Sequence, residues 1–432
     1  MTAYTMICTS DFSGLLRGKG VPVADFDKRV TAGIGWTPTN VQITCFDTIS
    51  DSPYGSFGDL VLRPDPDRRV IAPLPDGRRL DFALGDVFHL DGPVWECCTR
   101  GMLKTAVARL KERTGLELRV SFEHEFMFAE GGPTAGFSLA GFAERLGYAE
   151  DLAEALGAGG IVPDSFLREY GPNQMEVTLP PAPALLAADQ AAILRDLARL
   201  VARARGERVT FTPLIGPDVV GNGVHIHFSL WDAAGQPVTQ DADRPNGLGH
   251  AAGAFAAGIL RHAGGLCALA APSVISYDRL VPHRWSAAFD NLAAQDREAT
   301  LRICPVTARE PAARARQFNL EFRAADAAAS PHLALAALIE AGLSGLTDDL
   351  PAPQATAEDL SLLSKQALAA RGLRRLPESL DAALGALDGD PLMRRALPED
   401  AVDIYLAHKR GEIAHVATMP PEARFAAYAA AY

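Results

Sequence analysis

The first ninety residues alternate short apolar segments with turn residues. β-Branched and apolar residues are concentrated at 41–46, 59–62 and 70–72, and Pro, Gly and Asp separate these segments. Short apolar runs bounded by turn residues are typical of β-strands. The pattern therefore predicts a small sheet domain over residues 1–94, with a junction at 90–94.

From residue 95 onward, the spacing of apolar positions changes repeatedly between the helical and the extended period. Leu103, Val107 and Leu110 share one face of a helix that is predicted directly after the junction. Strands and helices alternate beyond it without an internal repeat or a low-complexity linker. We therefore expect an α+β fold whose second domain covers residues 95–432. The predicted strands are 118–128, 174–179, 223–230, 300–303 and 320–323, and the predicted helices are 141–156, 188–205 and 333–346.

One apolar run, 251–270, approaches the length of a membrane span. Arg261 and His262 lie at its centre and most of its residues are Ala or Gly, so we expect a helix buried in the protein core. The N-terminus lacks a basic region followed by an apolar core, and the six cysteines form no CxxC pair. These features predict a cytoplasmic protein with reduced thiols.

Composition and charge narrow the function classes. Hydrophobic residues make up 48% of the chain and charged residues 22%, which is typical of a folded globular protein. The 41 basic and 53 acidic side chains give a formal charge of -12. Nucleic acid and anionic membranes are therefore poor partners. Binding of a metal–nucleotide complex is still compatible with this net charge, because it depends on a few placed groups.

Polar side chains recur two residues apart on three predicted strands, so the members of each pair project from one face. Carboxylates paired in this way repel each other unless a cation or solvent neutralises them, and Phe122, Phe126 and Phe128 disfavour a solvated edge. A single His on such a strand is usually a core residue. Several polar faces together favour a sheet that converges on one ion-filled cleft. The residues concerned are Glu123 with Glu125, His225 with His227 and Ser229, and Glu321 with Arg323.

Further acids and arginines extend this pattern. Glu169 and Glu176 flank a Gly-Pro turn, and a set of carboxylates with one or two imidazoles favours magnesium or manganese over zinc. Arginines beside divalent metals are typical of phosphoryl transfer, although each could instead form a surface or interface ion pair. No Walker A or GxGxxG motif is present, so spacing alone predicts a dinuclear metal site with arginines. The arginines are Arg279, Arg297, Arg302 and Arg323.

In their order, these motifs resemble the glutamine synthetase family over nearly the whole chain. Each motif is weak alone, whereas the ordered set is specific. The matching segments are 17–22, 58–65, the strand of Glu123 and Glu125, 169–176, 224–229, 276–280, 297–302, 321–323 and the late helical segment 376–384.

The resemblance implies a small N-terminal β-grasp domain and a catalytic domain with a funnel of antiparallel strands. It also implies rings, commonly two stacked hexamers that form a dodecamer, with acid and amine as small-molecule substrates. ATP and two or three magnesium or manganese ions would serve each site. By resemblance, Glu125, Glu169 and Glu176 hold one metal, and Glu123, His225 and Glu321 hold another. His227, Ser229, Arg297 and Arg302 bind ATP, Gly221 belongs to the substrate loop, and Arg279 and Arg323 face the acid and its transferred phosphoryl group.

Trp285 departs from the family pattern. Ordinary members carry a glutamate here, on a flap that helps to bind ammonium and to take its proton. An indole cannot act as a base but can stack on an organic amine or its cation, unless it merely packs at the flap. The sequence looks closer to a divergent branch that includes γ-glutamylamide ligases. The resulting hypothesis is an ATP-dependent ligase that forms a γ-glutamyl amide, or a closely related amide, through an acyl phosphate and prefers an organic amine to ammonium.

Two alternatives remain beside this hypothesis. One is ordinary glutamine synthesis from ammonium, which the indole at position 285 disfavours. The other is a ring-forming scaffold or sensor without catalysis. The complete set of metal ligands argues against a scaffold, since an unused carboxylate cluster is costly to keep folded without its cation.

Overall fold

The computed structural model describes residues 3–132 and 134–432. The strands in this part of the chain are β1 (Tyr4–Ser10), β2 (Leu16–Pro22), β3 (Ile34–Trp36), β4 (Leu60–Pro73), β5 (Arg79–His89), β6 (Glu117–Phe128), β7 (Ser165–Arg168), β8 (Gln174–Thr178), β9 (Ala182–Pro183), β10 (Val209–Thr210), β11 (Val224–Trp231), β12 (Phe289–Ala293), β13 (Ala299–Ile303), β14 (Leu320–Phe322) and β15 (Ala355–Thr356). The α-helices are α1 (Phe26–Ala32), α2 (Thr99–Thr114), α3 (Leu139–Gly157), α4 (Ala184–Ala204), α5 (His250–Arg261), α6 (Ala263–Ala270), α7 (Ser276–Arg279), α8 (Pro311–Gln317), α9 (Pro331–Thr347), α10 (Lys365–Ala370), α11 (Leu380–Asp388), α12 (Pro391–Ala396), α13 (Glu399–Val416) and α14 (Pro421–Ala431).

The N-terminal region forms a five-stranded sheet in the order β2-β1-β5-β4-β3. Neighbouring strands are antiparallel except for β1 and β5, which are parallel. The predicted segments 59–62 and 70–72 belong to one long strand, β4, whose pairing with β5 shifts register between Pro64 and Arg69. The sheet predicted for this region is therefore confirmed, although its strands are longer than the apolar pattern suggested.

The strand predicted at 41–46 is wrong. Residues Pro38–Gln42 form a 3₁₀ helix instead, with Pro38 in its first turn. A turn follows, closed by a 2.8 Å hydrogen bond from the backbone N–H of Thr44 to the carbonyl of Thr48. Asp47 takes a left-handed conformation within that turn. Proline initiates such helices and the left-handed residue reverses the chain. Ile43 forms an isolated antiparallel bridge with Ile49, but the segment forms no extended strand.

The larger sheet has ten strands and positions the polar faces. Its main path runs β15-β12-β13-β14-β11-β6-β8-β7, and β9 and β10 also pair with β6. Most neighbours are antiparallel, but β12 is parallel to β13 and to β15. The ladder places His225 opposite Glu123, His227 opposite Glu321, and Glu125 opposite Glu176. All five strands predicted for this region are present, within one or two residues.

Helices α2, α4 and α5 pack on this sheet, and α9 packs against these three helices. The helices predicted at 141–156, 188–205 and 333–346 are present as α3, α4 and α9. The single helix predicted over 251–270 is wrong. Helices α5 and α6 replace it and meet at an angle of 76°. The break falls at His262, whose Nδ1 lies 2.6 Å from the Asp390 carboxylate. A side chain held in this way, followed by Gly264 and Gly265, allows the helix to change direction.

In the described residues, no single helix has the length and apolar character of a membrane span. The bent pair α5 and α6 reaches this length and apolar character only when both helices are taken together. Both helices are mostly buried within the protein.

Arg100 in α2 joins the N-terminal sheet to the helices of the larger region. Its guanidinium donates two 2.9 Å hydrogen bonds to Asp189 of α4, one of 2.9 Å to Asp86 of β5 and one of 2.7 Å to Asp65 of β4. His332 of α9 lies 2.8 Å from Asp189. Although burial opposes ionisation of Asp189, His332 and Arg100 lower its pKa to about 2. Because the network is buried, its members depend on one another for charge compensation.

Candidate active site

The polar faces of β6, β11, β14 and β8 meet in one carboxylate-rich cluster. His225 Nδ1 lies 2.7 Å from Glu123 Oε1 and 3.5 Å from Glu321 Oε1. Ligand atoms of Glu123, His225 and Glu321 lie within 4.8 Å of one another, and so do those of Glu123, Glu125 and Glu176. Glu123 belongs to both groups. The geometry therefore offers two adjacent places for a cation, with one carboxylate between them.

The closeness of these buried carboxyl groups to one another changes their pKa values. Burial and the charges of neighbouring carboxylates raise the pKa of Glu125 to about 8 and that of Glu176 to about 9. Burial also opposes ionisation of Glu123, but His225 and His227 hold its pKa well below the ordinary value. A set of oxygen ligands with too little positive charge fits a hard divalent cation such as Mg²⁺ or Mn²⁺.

Two arginines neutralise the negative charge of Glu321 at the opposite end of the cluster. Arg302 Nη1 donates a 3.0 Å hydrogen bond to Glu321 Oε2, and Arg323 Nη1 contacts Glu321 Oε1. Burial alone would raise the pKa of Glu321, but Arg323 and the two histidines lower it to about 2. Arg323 is itself fixed, because its Nε donates a 2.6 Å hydrogen bond to the carbonyl of Arg297. The site thus has an acidic half and a basic half.

Arg279 lies buried beneath the substrate loop predicted at Gly221. Its Nη1 donates a 3.1 Å hydrogen bond to Ser286 Oγ and its Nη2 one of 2.8 Å to the carbonyl of Ala325. Within the described chain its Nε has no hydrogen-bond partner. A Cβ at position 221 would lie 2.7 Å from the Arg279 side chain, so glycine is required for this close approach.

A cleft of about 450 Å³ opens beside Glu123 on the face of β11. His227 Nδ1 lies 3.0 Å from Asn319 Oδ1, and Trp231 Nε1 donates a 2.9 Å hydrogen bond to Ser229 Oγ. The cleft therefore combines an aromatic ring, an imidazole and hydroxyl groups next to the carboxylate cluster. Its lining comprises Arg119, Ser121, Glu123, Asp164, Thr178, Leu179, Pro181, His227, Phe228, Ser229, Trp231, Arg316, Gln317 and Asn319.

Three of the predicted site residues lie outside these contacts. Among the described residues, Glu169 belongs to neither ligand group; its carboxylate accepts a 2.7 Å hydrogen bond from the backbone N–H of Tyr170, and burial raises its pKa. The side chain of Arg297 is exposed, and only its carbonyl contacts Arg323. Trp285 is 64% exposed. The structure thus brings most of the predicted residues together and leaves these three at the rim.

Sequence reasoning missed three residues that contact the site. Gln174 Nε2 donates 2.9 Å hydrogen bonds to the carbonyl of Gly221 and to Asn222 Oδ1. Gln174 lies two residues before a predicted ligand, and Trp231 lies two residues after Ser229, so the same-face rule could have found both. Glu298 lies in a loop, where no periodicity applies.

Comparison with protein families adds to this geometry. The model of the glutamine synthetase N-terminal domain matches residues 3–95, and that of the glutamine synthetase catalytic domain matches residues 96–428. The chain belongs to the glutamine synthetase family. As a glutamine synthetase family member it is an ATP-dependent ligase of small-molecule substrates that depends on divalent metal, and its carboxylate cluster fits such ions.

Several relatives of this glutamine synthetase family member are known. The γ-glutamylpolyamine synthetase GlnA3 of Streptomyces coelicolor is 34% identical, and the match covers 97% of this chain and 91% of that protein. The glutamine synthetase of Thermus thermophilus is 30% identical over 93% of this chain and 90% of its own.

Solved structures agree with the family assignment. A crystal structure of a glutamine synthase homologue is 40% identical, with a TM-score of 0.90 over 100% of this chain and 99% of its own. A GmaS/ADP complex is 26% identical, with a TM-score of 0.82 over 97% and 95% of the two chains. The resemblance drawn from the ordered motifs is therefore confirmed, as is the fold class.

Proposed function

We propose that this protein joins the γ-carboxylate of glutamate, or of a closely related acid, to an organic amine at the expense of ATP. The observation that carries the proposal is the place of Trp285 at the mouth of the site. Its carbonyl accepts a 3.2 Å hydrogen bond from Arg323 Nη2, and the hydroxyl of the next residue, Ser286, contacts Arg279. The backbone that carries this exposed indole thus adjoins the two arginines proposed to face the acid.

The proposed first step forms an acyl phosphate from the acid and ATP. Arg323 and Arg279 bind the carboxylate and stabilise the charge on the transferred phosphoryl group, which is the usual contribution of fixed cations to this chemistry. His227 and Ser229 hold ATP in the adjoining cleft, with Arg302 and Arg297. The six predicted ligands would hold two or three Mg²⁺ or Mn²⁺ ions, which would supply further charge neutralisation.

In the proposed second step, the amine attacks the acyl carbon and displaces phosphate, which leaves with the amine's proton as the amide forms. An indole cannot accept the amine's proton, but it offers a flat apolar face and attracts cations. Position 285 therefore favours an alkyl or polyamine nucleophile over ammonium. The similarity to a γ-glutamylpolyamine synthetase supports this preference, whereas the similarity to glutamine synthetases keeps ammonium as the second candidate.

A substrate panel tests the proposal. Phosphate release from ATP is measured with glutamate and either ammonium, alkylamines, polyamines or aromatic amines, and products are confirmed by mass spectrometry. We expect amine-dependent turnover with a matching γ-glutamyl amide. If no amine stimulates phosphate release in the presence of glutamate, the proposal is contradicted, because the acid, the amine or both are then different.

Exchange of the indole tests the specific role of Trp285. Replacing Trp285→Glu supplies the missing base and removes the stacking surface, so the ratio of kcat/KM for ammonium to that for the organic amine should rise about tenfold or more. Trp285→Phe, which keeps a flat ring, is the matched control and should change this ratio little. An unchanged ratio in the glutamate variant would exclude the residue from the amine pocket.

Ring assembly and the division of the chain at residues 94 and 95 are also part of the proposal. Membership of the glutamine synthetase family supports ring assembly, because enzymes of this kind typically form rings. We propose self-association into a dodecamer of two hexamers. Light scattering coupled to size-exclusion chromatography would measure it, and a monomer at working concentration would contradict it.

A further inference from the structure

The loop that carries Trp285 is held by one carboxylate. Glu298 Oε2 accepts a 2.9 Å hydrogen bond from the backbone N–H of His283, and Glu298 Oε1 accepts another of 2.9 Å from the backbone N–H of Trp285. Both oxygens are therefore used, on two residues of the same short loop. The backbone N–H of Glu298 donates in turn to Asp296 Oδ1 at 2.8 Å, which fixes the carboxylate's own segment.

The backbone of this loop needs such support. His283 and Trp285 have φ values of 62° and 57°, in the left-handed region that side chains larger than glycine rarely adopt. A bulky residue in this conformation is strained. N–H groups that converge in such a loop form a small anion-binding concavity, and the Glu298 carboxylate fills it.

Side-chain packing offers little alternative restraint. The Trp285 side chain is 64% exposed, so its position depends on its backbone. That backbone is bound on both sides: its N–H to Glu298 and its carbonyl to Arg323 at 3.2 Å. Arg323 Nε holds the carbonyl of Arg297, the residue before Glu298, at 2.6 Å. The loop thus has two separate attachments: its N–H groups bind the Glu298 carboxylate, and the carbonyl of Trp285 binds Arg323.

We infer that Glu298 is a positioning residue for amine specificity, which holds the Trp285 indole over the place where the amine enters. The inference rests on the proposed function, because it assigns a role to the indole in amine binding. It predicts that Glu298 acts on the amine only through Trp285. It also predicts that binding of ATP and of the acid does not depend on Glu298.

A double-mutant cycle tests this coupling. Wild type, Glu298→Ala, Trp285→Ala and the double variant are compared by the KM and kcat for the organic amine. In Glu298→Ala we expect the amine KM to rise about tenfold, with kcat at saturating amine and the KM values for ATP and acid changed by less than about twofold. In the Trp285→Ala background the same substitution should have no further effect on the amine KM.

Two variants keep the test decisive. Glu298→Gln retains one acceptor oxygen and should give a smaller increase in the amine KM, so it serves if the alanine variant is poorly folded. Glu358→Gln removes a carboxylate from a separate cleft that His283 and Glu298 also line, but this carboxylate pairs with Arg371. The variant controls for a general loss of negative charge. That control should leave the amine KM unchanged.

The outcomes separate the inference from the proposed function. An equal effect of Glu298→Ala in both backgrounds would overturn the positioning role and leave the ligase proposal intact. If wild type accepts only ammonium, the proposed amine preference fails, and the same cycle with ammonium decides the positioning role by the same criterion.

Discussion

The crowded carboxylates predict a substitution that stabilises the metal-free protein and reduces the stabilisation by metal. Glu176 lies directly opposite Glu125 in the β6–β8 ladder, and Glu123 lies beside both. Burial, followed by the charges of these neighbours, raises the pKa of Glu176 to about 9. Glu176→Gln keeps the side-chain shape but removes the ionisable group. We expect this variant to be more stable than wild type without metal and to gain less from metal.

The magnitude follows from the pKa difference. In the unfolded chain the Glu176 carboxyl ionises at its ordinary pKa of 4.5, whereas in the folded, metal-free protein it keeps its proton until about pH 9. Between pH 4.5 and about pH 9 the folded protein holds a proton that the unfolded chain has released, so the free energy of unfolding falls as pH rises. From 4.5 to 7 the loss is roughly 3 kcal/mol, and at pH 5 it is below about 1 kcal/mol. Glu176→Gln abolishes this loss.

Guanidinium unfolding in EDTA at pH 5 and pH 7, at one protein concentration, measures the difference. The variant should exceed wild type by roughly 3 kcal/mol at pH 7 and by little at pH 5. With saturating Mg²⁺, its Tm should rise less than that of wild type, because a neutral amide is a weaker ligand. Glu154→Gln, on the exposed face of α3, is the matched control. A metal-free variant less stable than wild type at pH 7 would refute the reasoning.

Two further substitutions test the domain junction and the acid pocket. Arg100→Met leaves the buried carboxylate of Asp189 without its main partner, so the free energy of unfolding in guanidinium should fall by about 3–5 kcal/mol. Lys104→Met removes a half-exposed cation that contacts Asp86, and as the control it should lower the free energy of unfolding by less than about 1 kcal/mol. Gly221→Ala places a Cβ 2.5 Å from a backbone oxygen and should raise the acid KM at least about tenfold with an unchanged ATP KM in steady-state assays. Gly216→Ala, where a Cβ meets nothing within 4 Å, should leave both KM values unchanged.

The cluster could be predicted because extended strands leave a simple signal in the sequence. Residues two apart share a face, so the pairs on β6, β11 and β14 identified Glu123, His225 and Glu321 before any pairing was known. The structure adds the register, which sets His225 against Glu123 and His227 against Glu321. Strand spacing does not contain that register, because it depends on long-range contacts.

Loops and chain breaks could not be predicted in the same way. The role of Glu298 depends on two backbone N–H groups more than ten residues earlier, which no local periodicity records. The bend between α5 and α6 depends on a contact between His262 and Asp390, 128 residues apart. The apolar content at 41–46 wrongly predicts a strand, because burial of a 3₁₀ helix and of the turn after it produces the same composition. In the first two cases the deciding interaction is tertiary, whereas in the third it is a local turn closed between Thr44 and Thr48.

A single competition reaction tests the central claim most directly. The protein is given ATP, Mg²⁺ and glutamate with ammonium and a polyamine at equal concentrations, and both amide products are quantified by mass spectrometry. The account predicts that the γ-glutamyl amide of the polyamine predominates over glutamine. Glutamine as the main product would contradict the assignment of Trp285 to an organic-amine pocket.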